Sequence, residues 1–140
     1  ARIGAVLTPE GGALQKLLPV FSLGGGGPVG NGKQYFSWIS IDDMCASIYH
    51  AICEESLSGP FNAVSPNCLT NAEFSRALGR VLRRPAILPV KESILRAIYG
   101  EAADALVLNS LRLLPQKLKQ TGYEFFDPDI DPALRFVLGR

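Results

Sequence analysis

The chain has 140 residues, of which 47% are hydrophobic and 19% charged, and a formal net charge of +1. This composition excludes a disordered chain and lacks the clustered basic excess that a nucleic-acid-binding surface requires. No uninterrupted apolar run reaches the roughly 20 residues needed to cross a bilayer.

In chain order, Ile3-Gly4-Ala5-Val6-Leu7 is nearly all apolar and is followed by the turn residues Thr8-Pro9-Glu10-Gly11-Gly12. An apolar run bounded in this way predicts a short strand buried on both faces, as in a parallel sheet. The sequence opens inside this run on Ala rather than Met, as a chain does that starts in mid-domain, and a fragment is expected. Leu14, Leu17, Leu18 and Phe21 recur at helical spacing and predict a helix over 13–21, which Pro19 limits or kinks. Next comes the glycine-rich stretch 23–32. A phosphate-binding loop of that composition opens a helix, whereas this one leads into Lys33-Gln34-Tyr35-Phe36-Ser37-Trp38-Ile39, which is aromatic and β-branched strand material. A nucleotide phosphate is therefore not expected there.

Ser40-Ile41-Asp42-Asp43 opens the next helix, with Asp42 or Asp43 as its cap and Met44, Ile48, Ala51 and Ile52 as its apolar stripe. Ser58-Gly59-Pro60 ends it, and residues 61–64 read as a strand. Thr70-Asn71-Ala72-Glu73 is a capping-box pattern that starts a helix running to Arg84-Pro85. Beyond it, the pattern predicts an extended piece at 86–90, helices at 92–99 and 102–114, and a short helix at 115–121. Gly122 stops the last of these in the left-handed conformation. A strand at 123–126 and a final helix through Leu138, capped by Asp129 or Asp131, complete an α/β chain.

Chemistry-bearing clusters are few. Cys45, Cys53 and Cys68 form no metal-ligand spacing and are expected to be buried free thiols, which suits a reducing, intracellular compartment. His50 faces no recognisable nucleophile and reads as structural. Arg76, Arg80, Arg83 and Arg84 read as a solvated helix end, and the acidic pairs Glu54-Glu55 and Glu101 with Asp104 as helix-surface charge. No catalytic set and no metal site is expected.

Several stretches resemble one family in the same order along the chain. They are Arg2-Ile3-Gly4-Ala5-Val6-Leu7, Gly11-Gly12-Ala13-Leu14, Leu23-Gly24-Gly25-Gly26-Gly27-Pro28-Val29-Gly30 and Gln34-Tyr35-Phe36-Ser37-Trp38-Ile39-Ser40-Ile41-Asp42-Asp43. Gly59-Pro60-Phe61-Asn62-Ala63-Val64-Ser65-Pro66 with Thr70-Asn71-Ala72-Glu73-Phe74, and Leu114-Pro115-Gln116-Lys117-Leu118 with Gly122-Tyr123-Glu124-Phe125, continue the series. Together they resemble the carboxy-terminal half of the atypical extended short-chain dehydrogenase/reductases, the NAD(P)-dependent epimerase or putative NADP-dependent oxidoreductase type. The resemblance implies the last parallel strands of a Rossmann-type sheet over 1–55 and a small α/β substrate-side domain over 56–140. It places NADP or NAD in an amino-terminal half, which also carries a GxxGxxG turn and a Tyr-x-x-x-Lys pair. Neither element occurs in this sequence, so no cofactor is expected for these residues alone.

The resemblance further implies that Leu7, Thr8, Gly11 and Gly12 border the nicotinamide side of the cleft, and that Gln34 and Trp38 lie on the substrate side. Trp38 reads equally as a core residue whose N–H finds a backbone partner. Ala5 stands where sugar-nucleotide epimerases often have Asn, which argues against a sugar-nucleotide substrate. The expected partner is the missing Rossmann half or another protein subunit, in cytoplasm, plastid or mitochondrion alike. The alternative is a non-catalytic scaffold subunit derived from such a reductase, in a larger, organellar assembly.

Overall fold

The computed structural model describes residues 2–8, 10–30, 32–86 and 112–139, together with positions 89, 91, 93, 96, 97 and 100. Its elements in order are strands β1 (Arg2–Ile3) and β2 (Ala5–Leu7), helix α1 (Gly12–Ser22), strands β3 (Tyr35–Phe36) and β4 (Trp38–Ser40) and helix α2 (Ile41–Cys53). They are followed by β5 (Asn62–Ala63), β6 (Leu69–Thr70), α3 (Asn71–Leu82), α4 (Gln116–Gln120) and α5 (Ile130–Leu138).

The strands form short pairs, two of them parallel and one, β3 with β6, antiparallel. β1 pairs with β5, and β2 pairs with β4 in the register Ala5↔Trp38, Val6↔Ile39, Leu7↔Ser40. Ser65 N also donates to Trp38 O at 2.7 Å, so the chain leaving β5 runs beside β4, and β4 enters between it and β2. Gly4 stands at this fork. A Cβ there would lie 2.9 Å from Ser37 O and 2.9 Å from Val64 Cγ1, so only glycine allows the two neighbours to close on it.

Alternation along β2 and β4 sends side chains to two covered faces, whereas Arg2 and Ile3 of β1 are exposed, so the expected burial on both faces does not extend to the start of this run. Leu7 and Trp38 join a cluster with Leu14, Leu17 and Phe21 of α1, Phe74, Leu78 and Val81 of α3, and Ala133 and Leu134 of α5. Ile39, with Val6 beside it, joins a smaller cluster with Phe61, Ala63 and Leu118, against which Met44 and Ala51 of α2 pack. Each fully buried large side chain contributes about 1.5–3 kcal/mol relative to exposure. Both clusters take residues from either side of position 55, so 1–55 and 56–140 share their cores.

The local signals that are self-contained appear as read. Thr70 accepts from Glu73 N while Glu73 bonds the Thr70 N–H, the glycine-rich stretch leads into β3, and Gly122 follows α4 at φ 84°. Several expectations are corrected. Pro19 lies inside α1 without ending it, because Leu17 and Phe21 bury the last turn and outweigh one lost helical bond. The cap of α2 is Ser40, whose hydroxyl accepts from Asp43 N at 3.1 Å, not Asp42 or Asp43.

Residues 123–126 form no strand. Residues 112–114 are not helical, whereas Leu69–Thr70, read as no strand, pairs antiparallel with β3. Asp129 occupies the cap position of α5 without a side-chain cap bond; its carboxylate accepts instead from Asn67 Nδ2. Cys45 and Cys53 are exposed rather than buried, because α2 turns Met44, Ser47 and Ala51 inward and these two outward. The elements read at 86–90, 92–99 and 102–111, with Glu101 and Asp104, fall largely or wholly outside the described residues.

Candidate functional site

In an open parallel sheet, ligands gather beyond the carboxyl ends of the strands. Here that end of β2 carries buried Leu7 and half-buried Thr8, whose Oγ1 accepts from Glu10 N at 3.3 Å and so shapes the turn. Gly11 follows in extended backbone as the cap of α1 and Gly12 begins the helix. Leu7, Thr8, Gly11 and Gly12 therefore form one continuous rim between strand end and helix start.

Gln34 and Trp38 lie elsewhere. The register sets Trp38 beside Ala5, two residues or roughly 7 Å before the end of β2. Its indole is fully enclosed and donates to Asn67 O at 3.1 Å. Gln34 is half-buried ahead of β3; its Nε2 donates to Val29 O at 3.2 Å and its backbone carbonyl accepts from Asn71 N at 2.8 Å.

Those bonds belong to a set that fixes the glycine-rich stretch on α3. Asn71 Oδ1 accepts from Val29 N at 2.7 Å, Ser75 Oγ donates to Gly27 O at 3.2 Å, and Ala72 N donates to Gly32 O at 3.0 Å. The stretch thus turns the carbonyls of Gly27, Val29, Gly32 and Gln34 toward donors of its neighbours. The first-turn N–H groups that a phosphate would need on α3 are already used. Sequence reasoning passed over Asn71 and Ser75, although a buried asparagine behind a capping threonine signals a side chain aimed away from its own helix.

The most connected polar group in the described residues is Asp43, read from the sequence as a candidate helix cap. It is buried on α2, and its two carboxylate oxygens accept from Tyr123 Oη at 2.7 Å, Phe126 N at 2.9 Å, Asp127 N at 2.9 Å and Ser40 Oγ at 3.2 Å. Burial first, then the bond to Asp43, push the Tyr123 hydroxyl well above the ordinary tyrosine range, so it stays a donor. Alongside, His50 Nε2 meets Thr121 Oγ1 at 2.8 Å and its ring packs edge-on with Tyr123. Ser65 Oγ and Asn67 Nδ2 each reach Pro128 O at 2.9 Å, which extends the polar fastening of 123–129. Of the arginines, Arg80 pairs with Asp131 at the surface. Among the described residues no group of three or more His, Cys, Asp or Glu side chains converges for a metal, and no helix is long and apolar enough to cross a membrane.

Comparison with known proteins agrees with this architecture. A family model described as a domain of unknown function, DUF1731, matches residues 92–137. An epimerase family protein of Mycobacterium tuberculosis is 41% identical over 140 residues, covering 100% of this chain and 46% of that protein. A chloroplastic epimerase family protein of Arabidopsis thaliana is 42% identical over 137 residues, covering 98% of this chain and 39% of that protein. Among solved structures, the human epimerase family protein SDR39U1 (isoform 2) with NADPH superposes with a TM-score of 0.89 at 36% identity, covering 99% of this chain and 47% of that one. The chain spans about half the length of the relatives it matches.

Proposed function

Because this chain belongs to the epimerase family of extended short-chain dehydrogenase/reductases, matching the carboxy-terminal half of its relatives, we propose that it serves as the carboxy-terminal portion of an NAD(P)-dependent oxidoreductase or epimerase. The observation that carries the reading is the match of 99% of this chain to under half of a structure that holds NADPH. A Rossmann half preceding residue 1 supplies the cofactor site and the proton-transfer pair, and it joins the edge of β2 opposite β4, which pairs with no described strand. Residues 1–55 then extend the sheet and 56–140 form the substrate side.

In this reading Leu7, Thr8, Gly11 and Gly12 border the nicotinamide, where an apolar wall and a hydroxyl-braced turn exclude water from the reacting carbon. Gln34, its amide steadied by Val29 O, belongs to the substrate side of this reading, and Trp38, enclosed in the core, holds β4 beside the strand that carries the rim. Nothing in the fold or the relatives favours the scaffold reading. The test is calorimetric titration of NADPH into the natural chain and into residues 1–140 separately. Saturable binding by the former and none by the latter is expected. Binding by residues 1–140 at millimolar affinity or tighter overturns the division of labour.

A further inference from the structure

We infer that one flank of α2 is an interface, covered in the natural chain by a helix of the segment that precedes residue 1. Successive helical residues turn by about 100°, so the surroundings of α2 can be assigned side by side. Met44 and Ala51 pack down on the cluster beneath the sheet. Asp43 and His50, about a quarter-turn round, meet the 121–127 segment that follows α4. The flank opposite Asp43 carries Cys45, Ile48 and Ile52, with Tyr49 and Cys53 above it. Ile48 is 37% exposed, Tyr49 70% and Ile52 78%, and both cysteines are exposed.

A helix that buries one side against a sheet normally offers charge on the other. This one offers two isoleucines, a tyrosine and two cysteines, with Asp42 the one charged residue outward between the helix start and Cys53. The position of the flank identifies its occupant. α4 packs on β5 and lies beside α2 on the β5 side of the sheet. The sheet runs from β2 through β4 to the chain leaving β5, so the apolar flank faces the edge of β2 that pairs with no described strand. A strand added at that edge brings its connecting helix onto one face or the other. The face already occupied by α2 has room for a helix only against Cys45, Ile48 and Ile52. Relatives of which this chain covers 46% contain enough further residues to supply both strand and helix. The occupant is thus an apolar-faced helix of the same chain rather than a second copy.

This inference rests on the proposed Rossmann half but is tested independently of cofactor binding. In the natural chain, alkylation with iodoacetamide is followed at each cysteine by peptide mass spectrometry. Cys45, on the covered flank, is expected to react about a hundredfold more slowly than Cys53 on the outward side, with the two equal in urea. Ile52→Asp is expected to bring Cys45 close to the rate of Cys53, and Ile52→Ala to move it partway if the aspartate variant does not fold. Equal rates for the two cysteines in the native protein overturn the inference. So does protection of Cys45 that vanishes on dilution together with a halving of the molecular mass, since a second copy is then the cover. A protein that binds NADPH yet leaves Cys45 reactive loses the interface and keeps the enzyme reading. One that protects Cys45 without binding NADPH keeps the interface and loses the enzyme reading.

Discussion

On one face of the sheet, Leu7 and Trp38 meet α1, α3 and α5 in a cluster of fourteen buried side chains; on the other, Ile39 shares a cluster of four with Phe61, Ala63 and Leu118. The large cluster is sealed by apolar area, which is non-directional and tolerates small shifts. The small one cannot hold the irregular segment 123–127 by area alone, and a buried carboxylate holds it by directed bonds. Where apolar burial is scarce, position is set by hydrogen bonds, and the two faces should respond to mutation in different ways.

The largest effect belongs to the apolar face. Trp38→Ala removes a fully enclosed indole and orphans the carbonyl of Asn67, and is expected to cost about 3–5 kcal/mol. Urea denaturation of the natural chain followed by circular dichroism reads this, since the variant lacks the tryptophan itself. A cost under about 1 kcal/mol would mean that the cluster does not seal this face.

Second is Asp43→Asn, which keeps the shape and removes the charge. One amide N–H must then face donors from the 126–127 backbone or Tyr123, and about 2–3 kcal/mol is expected to be lost in the same measurement. Limited proteolysis separates the faces: cleavage within 123–129 should rise in Asp43→Asn more than in a Trp38 variant of equal stability.

The same contrast explains what was legible in the sequence. Signals confined to a few neighbours could be read: the Thr70–Glu73 box, the glycine after α4, and an aromatic strand after the glycine-rich stretch. What failed depended on distant residues. Tyr123-Glu124-Phe125-Phe126 has strand composition, yet its backbone is engaged by a side chain more than eighty positions earlier. Asp43 looked like a cap because its helix start is local, whereas its partners are not. Cys45 and Cys53 were read as buried because thiols usually are, and the orientation of α2 decides otherwise. Leu7, Thr8, Gly11 and Gly12 were placed at the cleft by resemblance, and the fold sets them on the one turn between β2 and α1. Gln34 and Trp38 were placed on the substrate side by the same resemblance, and the strand register sets Trp38 beside Ala5, back from the strand end.

A smaller effect sharpens the polar face. Tyr123→Phe removes one donor to Asp43 and is expected to cost about 1–2 kcal/mol at neutral pH. Its pH dependence follows from the raised hydroxyl pKa. The folded state prefers the protonated phenol, so the contribution is complete below the unfolded value near 10 and is lost as pH rises through the higher folded value. Between pH 9 and 11 the difference in urea midpoint between the parent and Tyr123→Phe should therefore shrink. A difference that stays constant or grows with pH would contradict the Tyr123–Asp43 bond.

The smallest effect comes from a hydrogen-bonded pair open to solvent. Arg80 donates to Asp131 through Nε at 3.2 Å and Nη2 at 2.9 Å, joining α3 to α5. The side chains are 56% and 36% exposed, so water competes for both partners and salt screens the attraction. Arg80→Ala is expected to cost no more than about 0.5 kcal/mol, falling toward zero in 0.5 M sodium chloride, while the Asp43→Asn deficit persists at that salt. If the two deficits responded alike to salt, the distinction between an exposed carboxylate pair and a buried carboxylate anchor would fail. Exclusion of water, rather than the number of bonds, is what makes Asp43 hold its segment in place.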